Sequence, residues 1–299
     1  MLSETKSRKA GKIQYCSDLH LEFQSNLNLL KQYPIVPIGD ILILAGDIVP
    51  FAFIDKHKDF FRYVSDNFKT TYWLPGNHEY YYFDIAKKSG TIHEKIHSNV
   101  FLVNNIAIQQ ENVKLIFSTL WTKINPANEW EMERNISDFK LIKYNGFRFS
   151  VPVFNALHQE CLNFIEQELK HRNNTQTIVI THHVPTFYNY PEQYKGSSLN
   201  EAFAVELYDF ISTVPVPVSV GAENFLPLGV RAENFLPLQP TDPIPHQNPL
   251  PNYWIYGHHH VNVPEFTIGN TKMLTNQLGY VIHNEHHSFK NDKIINIDE

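Results

Sequence analysis

Short apolar runs recur along the chain, and each of them ends at a turn residue or a polar cluster. Several runs, such as Asp40–Ala45 (DILILA), are apolar throughout rather than alternating between apolar and polar positions. Continuous apolar character indicates strands that are buried on both faces. The predicted strands are Lys12–Cys16, Asp40–Ala45, Thr70–Leu74, Asn112–Leu120, Gln176–Thr181 and Tyr253–Tyr256.

Helical spacing of apolar residues separates some of these strands. The spacing predicts helices at Phe53–Phe68 and, more clearly, at Val153–Leu169. Ser198–Ile211 is predicted as a third helix, with Ser198 as a candidate N-cap and Glu201 three residues later. A strand meander is predicted near the C-terminus at Glu265–Ile268, Lys272–Thr275 and Gly279–Ile282. Strands interleaved with helices, followed by further strands, predict an α/β sandwich.

One proline-rich stretch interrupts this pattern. The segment 214–251 contains nine of the 18 prolines, and AENFLPL occurs in it twice, at Ala222–Leu228 and Ala232–Leu238. Proline at this density is incompatible with a central strand or a helix interior. We therefore expect one domain spanning residues 1–299, with an inserted surface loop at about 214–251. A substrate-gating cap or an oligomer arm is the functional alternative.

Composition limits the class of protein. The chain has 299 residues, 42% of them hydrophobic and 19% charged, and a formal net charge of −6, which favours a globular protein over a nucleic-acid coat or a membrane-surface protein. The polar N-terminal stretch is unlike a signal peptide, and no apolar run reaches the roughly 20 residues that span a bilayer. Two cysteines, Cys16 and Cys161, form no disulfide framework and no CxxC site. We expect a cytoplasmic protein.

Metal-competent side chains directly follow five of the predicted strands. They occur in Ser17-Asp18-Leu19-His20, Gly46-Asp47, Pro75-Gly76-Asn77-His78-Glu79, His182-His183 and Gly257-His258-His259-His260. Because open α/β sheets bind ligands at the carboxyl ends of their strands, we expect these residues to meet at one edge. Oxygen and nitrogen ligands without thiolate favour Mn, Fe or Zn, allow Mg or Co, and disfavour copper.

Spacing within two of these segments indicates which side chains share a centre. Asp18 and His20 are two residues apart, and so are His258 and His260. On an extended backbone the two members of each pair face the same way. His259 would then face elsewhere, which makes it a candidate for lining a substrate pocket or for packing on a neighbouring element.

Together these segments resemble the calcineurin-like metallophosphoesterase superfamily. Its blocks are D-x-H, G-D, G-N-H-[DE], a histidine after a strand, and G-H-x-H, and each block is present once, in this order, between about Lys12 and Tyr280. The resemblance implies a four-layer α-β-β-α sandwich and a centre of two divalent or trivalent metal ions. It implies that one metal is held by Asp18, His20 and His260, the other by Asn77, His182 and His258, and that Asp47 bridges the two.

The resemblance also implies a reaction. His78 corresponds to the catalytic histidine, and a hydroxide bridging the metals would attack the phosphorus of a phosphomonoester or phosphodiester. In the family the ligand is the histidine that directly follows the strand and its small residue, which favours His182 over His183. For Glu79 we expect a structural role in anchoring the loop.

Contacts to the organic part of the substrate are less defined by the pattern. His259 is one candidate, and Tyr80, beside His78 in a YYYF run, is another that is equally compatible with the core. Further candidates for lining the pocket are Trp121, Asn200 and Phe203. The expected partner is a small phosphoester.

Two further functions stay open. A nuclease on the same centre is disfavoured because 25 basic residues stand against 31 acidic ones without a dense cluster. A catalytically degenerate metal-binding scaffold is disfavoured because His78 and the whole ligand set are present. Pro50 occupies the place of the further Asp of Ser/Thr protein phosphatases and of the tyrosine ligand of purple acid phosphatases, so neither subgroup is favoured.

Overall fold

The computed structural model describes residues 11–171, 176–213 and 250–297. The proline-rich loop predicted at 214–251 lies outside the described residues except for its last two positions, and both AENFLPL repeats lie outside them. The single domain with an inserted loop therefore stays a prediction. No helix in the described ranges is both long enough and apolar enough to cross a membrane.

Most strands predicted from the apolar runs are present with nearly the same bounds. In chain order, the strands of the described residues are β1 (Lys12–Cys16), β2 (Ile41–Ala45), β3 (Thr70–Leu74), β4 (Ile92–His97), β5 (Val100–Asn104), β6 (Ile106–Gln110), β7 (Val113–Ser118), β8 (Lys143–Tyr144), β9 (Phe147–Arg148), β10 (Gln176–Thr181), β11 (Tyr253–Ile255), β12 (Phe266–Ile268), β13 (Thr271–Leu274) and β14 (Ile294–Asn296). The α-helices are α1 (Gln24–Gln32), α2 (Lys58–Asn67), α3 (Glu129–Asn135), α4 (Asp138–Leu141), α5 (Val151–Lys170) and α6 (Tyr208–Ser212). Short 3₁₀ helices are Phe51–His57, His78–Tyr80, Ile85–Lys87, Pro126–Asn128, Glu192–Tyr194, Ser198–Ala202, Val281–His283 and Glu285–Ser288.

The strands form two six-stranded sheets and a small hairpin of β8 and β9. The first sheet has the order β14-β1-β2-β3-β5-β4, and the second has the order β12-β13-β11-β10-β7-β6. In each sheet the four central strands are parallel, and an antiparallel strand closes each edge. Because the parallel strands run the same way, their carboxyl ends meet along one edge of each sheet.

Side chains from the two sheets interdigitate to form the middle of the molecule. Tyr15, Ile43 and Tyr72 are paired neighbours in the first sheet, and they belong to one buried cluster with Phe117 and Ile180 of the second. This continuous apolar layer is the reason why both sheets carry strands without polar alternation.

The other face of each sheet packs on helices. Leu42, Leu44 and Trp73 of the first sheet share a cluster with Phe61 and Val64 of α2. On the second sheet, the outer cluster combines strand residues with the apolar side of α5 and includes Ile116, Val179, Trp254, Phe154, Cys161 and Ile165. Helix, sheet, sheet and helix therefore form four layers, and the predicted α-β-β-α sandwich is confirmed.

The predicted helix Ser198–Ile211 is wrong. Ser198–Ala202 is a 3₁₀ turn whose N-cap is Ser197, and α6 begins only at Tyr208. Between them the chain pairs with Val184, which donates from its N–H to the Phe203 carbonyl at 3.2 Å and accepts from the Val205 N–H at 3.0 Å. Long-range backbone pairing here overrides the local helical pattern.

The third strand of the predicted C-terminal meander is also wrong. Gly279 has a φ of +69°, and a 3₁₀ turn follows at Val281–His283. The N–H groups of Leu278 and Gly279 donate to the carbonyls of Ser17 and Asp18, both at 3.1 Å. The chain is therefore held against the end of β1 and does not continue as a strand.

Candidate metal centre

The predicted site residues meet where the parallel strands of the two sheets end. Five of them have left-handed backbone, with φ of 56° at Asp18, 47° at His20, 55° at Asp47, 78° at His258 and 55° at His260. Such φ values cost free energy for non-glycine residues and concentrate at functional sites. The extended backbone expected for the pair Asp18 and His20 and for the pair His258 and His260 is therefore wrong. Sharp turns, and not the alternation of a strand, direct these side chains inward.

One group of donors combines residues from both sheets. Asp18, His20, Asp47 and His260 offer ligand atoms that all lie within 4.8 Å of one another. His260 Nε2 lies 3.0 Å from His20 Nε2 and 3.4 Å from Asp18 Oδ1. Asp18, His20 and Asp47 are buried and the His260 side chain is only 10% exposed, so bulk water does not compete strongly for this position.

A second group lies beside the first. Asp47, His182 and His258 again place their donor atoms within 4.8 Å of one another. His182 Nε2 lies 3.2 Å from His258 Nδ1, 3.2 Å from Asn77 Oδ1 and 3.3 Å from Asp47 Oδ2. The structure thus brings all seven predicted ligands into two adjoining groups.

Asp47 is the residue that the two groups share. Its Oδ2 atom lies 3.3 Å from His182 Nε2 and 3.8 Å from His20 Nε2, while Oδ1 accepts the His78 N–H at 2.9 Å. Burial opposes ionisation, but the neighbouring His182 and His78 outweigh it and hold the pKa of Asp47 well below its usual range. Asp47 is therefore an ionised carboxylate between two sets of donors.

Glycines are required where the backbone approaches these side chains. A Cβ on Gly76 would lie 2.3 Å from Asp47 Oδ1 and 2.6 Å from the His182 ring. A Cβ on Gly257 would lie 2.5 Å from Asp18 Oδ2. Any larger residue at either position would displace a member of the donor groups.

Outer hydrogen bonds fix how the imidazoles are oriented. His182 donates from Nδ1 to the Ala45 carbonyl at 3.0 Å, and His260 donates from Nδ1 to Glu285 Oε2 at 2.8 Å. His20 donates from Nδ1 to Glu22 Oε1 at 3.2 Å. With each proton on Nδ1, the Nε2 lone pairs of all three rings point into the donor groups, as in metal-binding histidines.

Asn77 is oriented in the same manner. Its Nδ2 donates to Asp138 Oδ1 at 2.9 Å, which leaves Oδ1 facing His182. Asp138 also accepts the Tyr81 hydroxyl at 2.9 Å. Asn77 therefore presents an acceptor oxygen, not a donor nitrogen, to the second group.

The convergence of acceptors indicates a cation. His20 and His260 turn their Nε2 lone pairs toward each other at 3.0 Å, an arrangement that is stable only with a proton or a metal ion between them. Burial opposes protonation, yet hydrogen bonds and nearby carboxylates raise the pKa of His260 to about 10 and that of His182 to about 9. The donor set is oxygen and nitrogen without sulfur, and it fits a centre of two metal ions.

His78 borders the donor groups and is held by a carboxylate. Its Nδ1 donates to Glu22 Oε1 at 3.0 Å, and its Nε2 lies 3.3 Å from the Tyr280 hydroxyl. Hydrogen bonds from His20 and His78 lower the pKa of Glu22 to about 2 although burial opposes this. Burial also opposes protonation of His78, but Asp47 and Glu22 outweigh it and raise its pKa.

Glu79 has the anchoring role that the sequence indicated. Its buried carboxylate accepts the N–H groups of Asp47 at 2.9 Å, Ile48 at 2.7 Å and Gly76 at 2.6 Å, and the Trp73 indole N–H at 3.0 Å. It thereby ties the turn after β2 to the turn after β3.

His183 and His259 are buried beside the donor groups. His183 packs between Trp121 and His258, with ring centroids 5.1 and 4.3 Å away, and its Nδ1 lies 3.2 Å from the Thr119 carbonyl. His259 accepts from Gln277 Nε2 at 2.9 Å and borders the cavity described next. His259 therefore stays a candidate substrate contact, since it borders the cavity and also contacts Gln277.

A cavity of about 410 Å³ opens directly over the donor groups. Asp47, Asn77, His258 and His260 lie at its base. Among the described residues it is lined by Tyr81 rather than by Tyr80, whose ring is 1% exposed and packs on Phe51 and Trp121. Tyr80 as a substrate contact is therefore corrected, because the 3₁₀ turn at 78–80 directs it into the core.

Two of the three further candidates for lining the pocket do line the cavity. Asn200 and Phe203 face it, whereas Trp121 is buried in the outer core of the second sheet.

Sequence reasoning missed the outer carboxylates. Glu22 continues the i, i+2 spacing of Asp18 and His20, and that spacing could have identified it. Asp138 and Glu285 lie 61 and 25 residues from the ligands that they hold, so no local pattern connects them.

Comparison with known proteins agrees with this geometry. The family model of the calcineurin-like phosphoesterases matches residues 11–262. The chain belongs to the calcineurin-like phosphoesterase family. It is 28% identical to an uncharacterized protein of Acanthamoeba polyphaga mimivirus over 315 residues, covering 96% of this chain and 97% of that protein.

Solved structures of other proteins resemble the chain in fold. The crystal structure of the phosphopantetheinyl hydrolase of Mycobacterium tuberculosis superposes with a TM-score of 0.58 at 13% identity, covering 94% of each chain. A dimetal phosphatase from Danio rerio gives a TM-score of 0.44 at 10% identity, covering 90% of this chain and 88% of that one. At these identities the first likeness shows the shared sandwich fold and nothing about the substrate.

Proposed function

We propose that this protein is a metal-dependent phosphoesterase that hydrolyses a small phosphomonoester or phosphodiester. The observation that carries the proposal is the position of Asp47, whose Oδ2 atom faces donors of both groups. A single carboxylate between two sets of imidazole donors is suited to a pair of ions that share one ligand. The cavity above it provides room for an ester.

Each side of the centre has its own ligands in this proposal. Asp47 is common to both sides. The first ion would be held by Asp18, His20 and His260, and the second by Asn77, His182 and His258. Bound there, the two ions would polarise the phosphoryl oxygens and lower the pKa of a water for attack on phosphorus. We propose Mn, Fe or Zn for both positions because the donors are imidazole, carboxylate and amide oxygen.

His78 is the proposed catalytic histidine. Its raised pKa favours the protonated ring, which can stabilise negative charge on the phosphoryl group or donate a proton to the leaving oxygen. Glu22 holds Nδ1, so Nε2 is the atom that is presented toward Tyr280 and the cavity. Glu22 is a positioning residue, since it acts through the orientation and the protonation of His78.

The two cysteines bear on the cellular setting. Cys16 and Cys161 are both buried and unpaired, which suits a reducing compartment, and we propose a cytoplasmic location. We further propose a small ester rather than a nucleic acid as substrate, because no lysine or arginine is among the described residues that line the cavity.

Hydrolysis of p-nitrophenyl phosphate and of bis(p-nitrophenyl) phosphate by purified full-length protein with added Mn²⁺ tests the function. We expect turnover of at least one of them, and a loss of about 10²–10⁴-fold in kcat for His78→Gln with unchanged metal content. The exposed His93 supplies the matched control His93→Gln, which should retain full activity. Unchanged turnover in His78→Gln would reject the mechanism, and inactivity of the metal-loaded protein on both esters and on a broad phosphoester panel would favour the scaffold.

A further inference from the structure

The part of the cavity that lies away from the proposed ligands has a distinct chemistry. We call this part the wall, and it consists of Ile136, Tyr190, Tyr194, Leu199, Ala202 and Phe203. The wall is aromatic and aliphatic, and the polar groups interspersed with it are amides and hydroxyls, including Asn135, Ser137, Ser197 and Asn200. Outside the proposed ligand set, the charged groups among the described lining residues are the carboxylates of Asp138 and Glu285 and the ring of His78, which borders the donor groups and is not part of the wall.

The wall directly adjoins the proposed metal ligands. The Phe203 ring stacks on His258 with centroids 4.8 Å apart and an interplanar angle of 28°, and the Tyr190 ring lies 5.9 Å from His259. A phosphoryl group at the centre would therefore place the attached organic group against aromatic faces. A cavity of about 410 Å³ has the size of sites for drug-sized organic molecules, which usually measure roughly 300–1,000 Å³.

The backbone behind the wall is fixed before any ligand binds. Asn200 Nδ2 donates to the Tyr194 carbonyl at 2.7 Å, and Thr122 Oγ1 donates to the Glu201 carbonyl at 2.6 Å. The bridge between Val184 and Ala204 joins the end of this segment to the strand end that carries His182. A preformed surface of this kind favours a rigid, complementary group over a flexible one.

Charge separates the candidate substrates. One phosphoryl group can be neutralised by the proposed ions, but a second phosphate or a carboxylate on the organic group would meet no lysine or arginine among the described lining residues. The second anionic group would lose hydration against the aromatic rings, which opposes binding. It would also approach the carboxylates of Asp138 and Glu285, and repulsion between like charges opposes binding as well.

We infer, on the basis of the proposed function, that the natural substrate carries a single phosphoester group on an uncharged organic group with an aromatic or otherwise apolar face. Polyphosphates and esters with a second anionic group are the class that this wall excludes.

Two arylphosphonates of matched size test the inference by binding, without requiring turnover. 4-Acetylphenylphosphonate and 4-carboxyphenylphosphonate carry planar groups of nearly equal size remote from phosphorus, and only the carboxylate is charged. Calorimetric titration of Mn²⁺-loaded full-length protein should show the acetyl compound binding about tenfold tighter or better, because the carboxylate must be desolvated at the wall. Equal affinity, or tighter binding of the carboxyl compound, would overturn the inference.

A substitution in the wall sharpens the test. Leu199→Lys introduces a cation, and it should reduce the preference to about threefold or reverse it, whereas Leu199→Met keeps the shape uncharged and should retain the preference. An undiminished preference in Leu199→Lys would contradict selection by the wall.

Parallel assays of p-nitrophenyl phosphate hydrolysis separate the two levels of the argument. If the protein hydrolyses p-nitrophenyl phosphate but binds both phosphonates equally, the proposed phosphoesterase function stands and the inferred substrate class is wrong. Absence of both turnover and phosphonate binding overturns both.

Discussion

The base and the wall of the cavity differ in how their residues are held. At the base, the ligands come from the ends of parallel strands in two sheets, several in left-handed backbone, and most are fixed by an outer carboxylate or carbonyl. The wall comes from short turns between β10 and α6 and from the segment between α3 and α4, and it packs mainly through rings. The sheet edges thus provide a chemistry that many substrates can share, while the connecting segments decide which organic group fits.

Removing the shared carboxylate should have the largest effect on the base. Asp47→Asn keeps the shape but loses a charge between the two donor groups, so we expect metal content to fall and kcat/KM for p-nitrophenyl phosphate to drop by about a thousandfold or more. Metal analysis and steady-state kinetics measure both quantities. Asp55→Asn is the control, since Asp55 is 83% exposed, and a similar loss there would point to a general effect of the substitution.

The carboxylates of Glu22 and Glu285, which hold His78 and His260, should have different effects on catalysis and on metal binding. Glu22→Gln should lower kcat by about 10–100-fold even at saturating metal, because His78 loses its anionic partner. Since Glu22 raises the pKa of His78, the alkaline limb of the pH–rate profile should move to lower pH in this variant.

Glu285→Gln provides the contrast with Glu22→Gln. Glu285 holds His260, so this variant should weaken metal binding, and excess metal should restore its kcat. If excess metal also rescued Glu22→Gln, Glu22 would act on the ligand His20 and not on His78.

Protons should compete with metal at the base and have little effect on the wall. In the metal-free protein the pKa of His182 is raised to about 9 and that of His260 to about 10, so both rings are protonated at neutral pH and must lose a proton to become ligands. Apparent Mn²⁺ affinity should therefore rise by about tenfold or more per pH unit between pH 6 and 8. Competition with a chelating dye at several pH values measures this, and a flat profile would contradict protonated ligands.

Trimming the wall should have the smallest effect. Tyr194→Ala removes one ring, and we expect KM for p-nitrophenyl phosphate to rise about threefold to tenfold with kcat nearly unchanged. Tyr188→Ala is a matched control because Tyr188 lies in the same connecting segment, is 52% exposed, and packs on Tyr208 and Phe266. A fall in kcat with constant KM would place Tyr194 among the residues that act on the reacting atoms.

Some of the fold could be predicted because its signals are local. The apolar runs gave β1, β3 and β10 with their observed bounds, since strands buried on both faces are rich in apolar and β-branched residues. The helix predicted at Val153–Leu169 is α5, which extends it by two residues at the start and one at the end. Ser198–Ile211 failed because its apolar spacing fits a helix, while its backbone pairs with Val184.

The sequence by itself determined the chemistry of the base. The polar residues that follow each predicted strand can be identified from the sequence, and the ends of parallel strands must meet at one edge of their sheet. It also indicated Glu79 as an anchor. Only the tertiary structure decided that turns in left-handed backbone aim Asp18 and His258 inward, that Glu22 and Glu285 hold their histidines, and that the wall is uncharged. These features depend on contacts between segments far apart in the chain. The spacing of residues within one segment does not predict which distant side chain will lie beside a ligand.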